Sequence, residues 1–291
     1  MQYQTQTEAL RLIFLVFSLL ALIAGALLIG GATNTEDLFS WSIAPPLSAA
    51  TLGAFYWSAL VLMLPLAAGG PWRHARPAVF PVATIAVLLL AATLIELETL
   101  DLDSFFGWFW LAVYSVVPIL LGLAIFDQLR RSELETRGAV VPFTPHLRIA
   151  LAVEGAAMLV LGAVMFALPD TANEVWPWAL GDLTSRVMGA FVVGIGLAAA
   201  IAVYENDIVV FRGSARAYAA LGVLALLALL HHRDDLDGGG LATGIYAGFL
   251  AAILATGLYG SFWTPPPEGA RTEAEKKPQR SPSAASASAR S

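Results

Sequence analysis

The stretch WSIAPPLSAATLGAF, residues Trp41–Phe55, has a near counterpart later in the chain, WALGDLTSRVMGAF, residues Trp178–Phe191. Each copy holds a Trp, a short connector, a Ser or Thr, and then Gly-Ala-Phe at the start of a long apolar run. Phe55 of the first copy aligns with Phe191 of the second. The recurrence predicts that the chain is an internal duplication.

Residues on both sides of this stretch follow the same relation. Downstream of the connector, residues match at the offset that brings Phe55 onto Phe191. Upstream of the connector, they match at an offset that is one residue longer. The matched pairs are Gly53 with Gly189, Arg76 with Arg212, Glu96 with His232, Arg11 with Arg148, Phe17 with Glu154, Gly25 with Gly162, and Trp41 with Trp178. The first apolar segment therefore has an internal counterpart, which favours a retained helix over a cleaved signal peptide.

The composition is that of a membrane protein. Hydrophobic residues make up 58% of the 291 residues and charged residues only 13%, whereas soluble domains carry about 25% charged residues. Eight apolar stretches are long enough to cross about 30 Å of hydrocarbon as helices. They are residues 12–30, 47–68, 78–96, 105–126, 149–168, 185–204, 217–230 and 241–263, of which the seventh is the shortest. We predict an all-α polytopic transmembrane helix bundle, with eight spans arranged as two parallel four-helix repeats.

The basic residues indicate the orientation. Of the 16 Lys and Arg residues, all but Arg186 and Arg233 lie in the N-terminal segment, in the second, fourth and sixth loops, or in the tail. Lys and Arg favour the cytoplasmic side of a membrane. We therefore predict a bacterial plasma-membrane protein with both termini in the cytoplasm and an acidic outer face.

The duplication also predicts the domain boundaries. Residues 1–130 form the first four-helix repeat, 131–145 a basic cytoplasmic linker, and 146–264 the second repeat. Each repeat has an even number of spans, so the two share one orientation, as in transporters with parallel repeats. Residues 265–291 are rich in Pro, Ser, Ala and charge, which predicts a disordered cytoplasmic tail.

Glu154 and Arg186 are the candidate intramembrane polar residues. Glu154 is the one carboxylate well inside a span, about 8 Å from its cytoplasmic end, and an acid at such a depth is a functional hypothesis by default. The alternative is that Glu154 reaches water or pairs with Arg76 or Arg212. Asp182 lies four residues before Arg186, so we expect an ion pair on one helix face. The alternative for Arg186 is an anion-attracting role at the mouth of a cavity.

A second cluster lies at the outer ends of the third and seventh spans. Histidine together with carboxylates can bind a divalent cation, and the candidate residues are His231, His232, Asp234, Asp235 and Glu96. Their spacing matches no standard zinc motif, and adjacent histidines point to different faces of a helix. The alternative is a solvated acidic rim.

Small polar and small apolar residues predict local contacts. Ser48 is a candidate N-cap of the second span, and Asp182 or Thr184 of the sixth. The sixth and eighth spans carry small residues at every fourth position, which lets helices approach closely in lipid. We expect these rows to form seams within the molecule; the alternative is a homodimer or protein-partner face. The lipid bilayer is the expected partner, and no nucleic acid is expected.

Several chemistries are excluded or disfavoured. The chain has no Cys, which excludes disulfides, Cys-based metal sites and a Cys nucleophile. The only lysines are Lys276 and Lys277 in the tail, which excludes a retinal Schiff base. The four histidines lie at incompatible depths for a bis-His haem, and no P-loop, HExxH or GxSxG motif occurs. We predict no cofactor, no metal and no catalytic residue, and an enzyme is disfavoured.

Two phrases carry a resemblance. WxIxPPLxAAxLGAxYW at Trp41–Trp57 and WFWLAVYSVVP at Trp108–Pro118 resemble stretches of uncharacterised multi-spanning membrane proteins of actinobacterial type. The resemblance implies a plasma-membrane location, and no catalytic residue can be carried over from it. The duplication and Glu154 favour a small-solute permease with a pathway between the two repeats. The alternatives are a structural or accessory membrane subunit, or an enzyme acting on lipid-linked substrates.

Overall fold

The described residues of this computed structural model are 4–131, 140–236 and 240–263. Within these ranges the chain forms ten α-helices and two 3₁₀ turns. No β-strand forms in the described ranges, although Thr5 and Pro71 make one antiparallel bridge. Eight of the helices, each of 22–26 residues, are long and apolar enough to cross a membrane. The prediction of an all-helical, multi-spanning chain is confirmed.

The helices follow one another with short connections. They are α1 Glu8–Gly30, α2 Thr35–Leu38, α3 Pro46–Ala67, α4 Trp72–Ile95, α5 Phe105–Arg130, α6 Pro145–Ala167, α7 Pro169–Val175, α8 Asp182–Glu205, α9 Ile208–His231 and α10 Leu241–Phe262. The 3₁₀ turns are Leu97–Thr99, after α4, and Arg233–Asp235, after α9. We call residues 4–131 the N-terminal half and residues 140–261 the C-terminal half.

The seventh predicted span, residues 217–230, is too short. The corresponding helix α9 begins at Ile208, because the Asp207 side chain accepts a hydrogen bond from the Val209 N–H at 3.0 Å and so caps the helix. Its first turns are buried through Phe211 and Ala215. The short helices α2 and α7, which follow α1 and α6, are also absent from the predicted spans, since neither is long enough to give a periodic apolar signal.

The centre of the bundle is formed by α3 and α8. In the most apolar part of these helices 67% and 61% of residues are buried, against 17% in α5 and 22% in α10. Helix α1 packs on α3 and α6 packs on α8, while α3 also contacts α9 and α4 contacts α8. The peripheral helices therefore present apolar side chains to the surroundings, as expected of helices in lipid.

Glycines allow the closest helix approaches. A Cβ atom on Gly53 of α3 would lie 3.2 Å from the carbonyl oxygen of Gly25 on α1. A Cβ atom on Gly189 of α8 would lie 2.8 Å from the carbonyl oxygen of Gly162 on α6. Gly53 and Gly189 thus permit close backbone contact between these helices.

The row of small residues in the sixth predicted span lies inside the bundle. Ala190, Gly194, Ala198 and Ala202 are all buried on α8. A Cβ atom on Gly194 would lie 3.2 Å from the carbonyl oxygen of Pro81 on α4. The expected intramolecular seam is confirmed for this helix.

The row in the eighth predicted span behaves differently. A Cβ atom on Gly240, Gly244 or Gly248 would meet nothing within 4 Å, whereas Thr256 and Gly260 are buried. A spacing of four residues advances about 40° around a helix at each step, so a long row drifts from one face to another. The expectation of one continuous seam on α10 is therefore wrong for its N-terminal part.

The chain divides into two compact units, Met1–Ser261 and Phe262–Ser291. The first contains all the helices apart from the last residue of α10, and of the second only Phe262 and Trp263 are described. Most of the predicted linker and the whole predicted tail, 265–291, lie outside the described residues. The repeat boundaries 1–130 and 146–264 stay predictions.

Candidate functional site

Two tryptophans form hydrogen bonds between the halves of the chain, near the starts of α3 and α8. Trp41 donates its indole N–H to Oγ1 of Thr184 at 3.1 Å, and Trp178 donates its indole N–H to Oγ of Ser48 at 2.8 Å. All four side chains are buried, and a buried indole N–H requires an acceptor. We call these the crossed tryptophan pairs, since each joins the N-terminal half to the C-terminal half.

The predicted helix caps are wrong, because the hydroxyls of Ser48 and Thr184 bond to the crossed tryptophans. The N-cap residues of α3 and α8 are Pro45 and Gly181, and neither makes a side-chain cap bond. The hydroxyls of Ser48 and Thr184 accept indole N–H groups instead of backbone ones. At the start of α3, the Leu47 N–H donates to Oδ2 of Asp235 at 2.8 Å, so a side chain of the other half supplies this contact.

Each tryptophan of the crossed pairs belongs to a three-ring aromatic cluster. The rings within each cluster meet edge to face, with centroids 4.9–5.5 Å apart in the first and 5.2–5.3 Å apart in the second. Aromatic pairs prefer such arrangements. The clusters are Phe39, Trp41 and Trp110, and Trp176, Trp178 and Tyr246.

Aromatic rings also fill the contact between α3 and α8. Phe55 and Phe191 stack with centroids 5.4 Å apart and planes 3° from parallel. Tyr56 packs its ring edge-on against Phe191 at 5.0 Å. We call Phe55, Tyr56 and Phe191 the central seam. It is a close-packed, apolar contact rather than a polar path.

Glu154 lies between α6 and α10. Its side chain is 6% exposed, and its Oε1 accepts a hydrogen bond from the Thr256 hydroxyl at 2.7 Å. Its Oε2 is buried and has no hydrogen-bond partner among the described residues. On the neighbouring α9, the Tyr218 hydroxyl donates to the sulfur of Met158 at 3.8 Å. A carboxylate with one neutral donor in an apolar surrounding is energetically costly.

The expected partner Arg76 is engaged elsewhere. Arg76 forms an ion pair with Glu205 at 2.6 Å, and Arg73 forms one with Asp207 at 2.6 Å. These two pairs fix the start of α4 to the turn between α8 and α9. The sequence analysis missed them, although the basic PWRHAR loop and the acidic YEND turn were the available signals.

The expected ion pair between Asp182 and Arg186 is wrong. Arg186 donates Nε to Oε1 of Glu96 at 2.8 Å and bonds the carbonyl oxygen of Phe166. Asp182 is exposed. Glu96, at the end of α4, offers a partner that is only 19% exposed, where an ion pair is less screened by water than on an open helix face.

The predicted cation site does not assemble. The two histidine rings lie 4.7 Å apart and nearly perpendicular, Glu96 is paired with Arg186, and Asp235 holds the start of α3. Asp234 is 98% exposed. In the part of the chain that the structure describes, no three His, Asp or Glu side chains gather closely enough to hold a metal ion.

His232, just after α9, has a shifted pKa. Partial burial lowers the pKa of His232, the neighbouring His231 lowers it further, and Asp235 acts in the opposite direction. The neutral imidazole is therefore favoured at this position.

A cavity of about 80 Å³ lies in the N-terminal half, among α1, α3, α4 and α5, with Phe191 of α8 at one side. Its one polar feature is a pair of tyrosine hydroxyls, those of Tyr56 and Tyr114, 2.9 Å apart. The sequence analysis missed this feature. The available signal was a tyrosine in the middle of two apolar spans.

Comparisons of the chain with protein-family models, curated proteins and solved structures found no match. The resemblance to actinobacterial membrane proteins therefore remains a proposal.

Proposed function

We propose that the chain is an integral protein of the bacterial plasma membrane, built of two parallel four-helix repeats, that serves as a structural or accessory subunit. The two halves make matching contacts at matching positions, which supports the repeats. The matches are the two crossed tryptophan pairs, the two aromatic clusters, the two glycine crossings, and the caps in which Thr7 and Thr144 accept from Leu10 and Leu147.

The central seam supports a two-fold relation between the repeats. Phe55 and Phe191 are equivalent positions in the two copies of the duplicated stretch, and they stack on each other. Equivalent residues that touch must lie at the axis that relates them. An axis along the membrane normal also agrees with the basic residues, which favour one side and thus both termini in the cytoplasm.

The filled central seam is the observation that carries the accessory role. A permease with a pathway between its repeats needs polar or wet surface there. Here that contact holds stacked phenyl rings, and the crossed tryptophan pairs bind the two halves at one end. Arg73 with Asp207 and Arg76 with Glu205 bind α4 to the α8–α9 turn. The geometry therefore favours a closed, tightly joined bundle.

The N-terminal part of α10 supports a partner surface for this role. Gly244 and Gly248 are exposed and have open space beside them. Small residues on a membrane helix let another helix approach closely and gain dispersion contacts. We place the contact with a second copy or another membrane protein on this part of α10.

A small-solute permease is the second candidate, and Glu154 favours it. Its buried carboxylate oxygen without a donor is costly in an apolar environment, and costly polar groups inside membranes often mark an ion or substrate pathway. This candidate requires that the central seam opens in another conformation of the protein.

Cysteine labelling distinguishes the two candidates, because the chain has no Cys of its own. Ser58→Cys tests the region beside the central seam, since Ser58 is buried on α3 one turn from Phe55. Glu154→Cys tests the polar site. A membrane-impermeant thiol reagent is applied from each side of the membrane, with the exposed Glu98→Cys as a labelling control.

The accessory role predicts labelling of the Glu98→Cys control alone, with the other two variants folded and unreactive. Labelling at both Ser58→Cys and Glu154→Cys would mean that water enters the bundle. The accessory role would then be wrong, and flux assays of the permease would follow.

A further inference from the structure

We infer that the cavity in the N-terminal half binds a lipid-soluble molecule that has an apolar body and a carbonyl oxygen, of the quinone class. The cavity adjoins the central seam, because Tyr56 and Phe191 belong to both, but the inference does not rest on the accessory role.

The lining of the cavity favours a ligand with an apolar body. Its wall consists of aliphatic and aromatic side chains from α1, α3, α4 and α5, among them Phe17, Met63 and Leu89. Its volume of about 80 Å³ is at least five times the roughly 10–15 Å³ that one water molecule needs. Cavities of this composition stay dry and take up hydrocarbon, so an apolar group is the favoured occupant.

The pair of tyrosine hydroxyls favours a ligand that carries an oxygen acceptor. Tyr56 and Tyr114 have two hydroxyl protons between them, and the bond of 2.9 Å uses one. The other proton has no acceptor among the described residues. A buried donor without an acceptor costs free energy, and a carbonyl oxygen on the ligand would satisfy it. Tyrosine hydroxyls next to an apolar wall thus favour an acceptor-bearing ligand over a pure hydrocarbon.

The depth of the two tyrosine hydroxyls in the membrane excludes the ester carbonyls of ordinary phospholipids as their acceptor. Tyr56 lies near the middle of α3 and Tyr114 near the middle of α5. A bilayer has a hydrocarbon core about 30 Å thick, so mid-helix residues lie about 15 Å from the ester carbonyls at its edge. A carbonyl that reaches this depth must belong to a molecule that is soluble in the core.

The cavity is reached from the side of the bundle. It is partly open, and Phe17 and Leu20 on α1 and Val113 and Val117 on α5 line it while remaining half-exposed. At this depth the surface of a spanning helix faces hydrocarbon. A molecule dissolved in the bilayer can therefore enter without crossing the polar ends.

The residues at the corresponding positions of the C-terminal half differ from those that line the cavity. At the sequence offsets, Phe17 matches Glu154 and Val82 matches Tyr218. Glu154 accepts a hydrogen bond from Thr256 on α10, whereas Phe17 lines the cavity with an apolar ring. The lining of the cavity is thus specific to the N-terminal half.

The test uses the full-length protein in detergent micelles and a decyl-substituted 1,4-benzoquinone as the probe. Quinones quench indole fluorescence at short range, and the Trp110 ring lies 4.3 Å from the Tyr114 ring. Binding is read as saturable quenching that Trp110→Phe removes. Decylbenzene, which has the same chain and no carbonyl, competes as the matched hydrocarbon.

Tyr114→Phe is expected to weaken quinone binding about five-fold, as for the loss of one hydrogen bond, and to leave decylbenzene binding unchanged. Tyr218→Phe, at a buried tyrosine of the other half, is the matched control and is expected to bind as the unsubstituted protein does. Ala59→Phe, which fills the cavity from α3, is expected to abolish saturable quenching while the thermal midpoint shows that the variant folds. If that variant is unfolded, Ala86→Leu on α4 replaces it.

Three results would overturn the inference. The first is quenching that does not saturate in the unsubstituted protein. The second is a cavity-filling variant that folds and still binds. The third is equal competition by decylbenzene and the quinone, with no effect of Tyr114→Phe, which would reduce the cavity to a nonspecific apolar void.

Discussion

Ser48 and Thr184 each accept a hydrogen bond from a tryptophan of the other half of the chain. Both residues lie in the first turn of their helices, α3 and α8. Their hydroxyls accept indole N–H groups there and do not cap the helix. An indole N–H buried without an acceptor pays the full cost of its lost hydration. These two small side chains therefore connect the halves far more specifically than their size suggests.

We predict that Ser48→Ala lowers the free energy of unfolding by about 1–3 kcal/mol, because the Trp178 indole N–H loses its acceptor in an apolar surrounding. Denaturant titration of the purified protein in detergent measures the change. Ser115→Ala, on the outward-facing α5, is the matched control and is expected to stay within about 0.5 kcal/mol. Equal stability of the two variants would show that the crossed pair contributes nothing.

At the scale of helices, glycines mark close contacts between α1 and α3 and between α6 and α8. Each crossing places a glycine of one helix against a backbone carbonyl of the other. Lipid offers no hydrophobic force between helices, so close backbone approach and dispersion provide the attraction. The glycines at these crossings thus stabilise the helix contacts, as the burial of apolar side chains stabilises a soluble core.

Gly189→Ala is expected to destabilise the protein by about 1–3 kcal/mol, the typical cost of overpacking. Its Cβ atom would lie 2.8 Å from both the Gly162 carbonyl oxygen and the Phe166 nitrogen, distances that backbone atoms cannot easily relieve. Gly122→Ala on α5 is the control, since a Cβ atom there meets nothing within 4 Å. Thermal unfolding in detergent should show a lower midpoint for Gly189→Ala alone, and a similar shift in both variants would contradict the argument.

At the scale of the whole molecule, the asymmetric distribution of charge is the basis of the proposed orientation. In the proposed orientation, an even number of spans leaves the N-terminal segment, the loops rich in Arg and the end of α10 on one side. The other side holds the two 3₁₀ turns with their carboxylates. Lys and Arg near the ends of spans determine such orientations during insertion.

Topology mapping in intact cells tests this arrangement. A thiol reagent that cannot cross the membrane should label Glu98→Cys and Asp234→Cys, and should label Arg130→Cys and His146→Cys only after the cells are opened. All four positions are exposed, so access and not burial determines the result. The reverse pattern would place both termini outside and would overturn the proposed orientation.

Pattern and composition were sufficient for the spanning helices, but not for their side-chain partners. Eight apolar stretches appeared as eight long helices, because a segment in hydrocarbon must satisfy its own backbone hydrogen bonds. The partner of Arg186 was predicted on its own helix and lies on α4 instead. Local spacing gives only nearby candidates, and Glu96 is 90 residues away in sequence.

The sequence alone determined the number of long apolar helices and the spacing at which the two halves correspond, since these depend on local composition and on covalent order. Only the tertiary structure decided that Ser48 and Thr184 accept indole bonds, that α10 turns its first glycines away from the bundle, and that Tyr56 and Tyr114 meet beside a cavity. Those outcomes depend on which helix faces pack together, and that is determined by contacts between residues far apart in the chain.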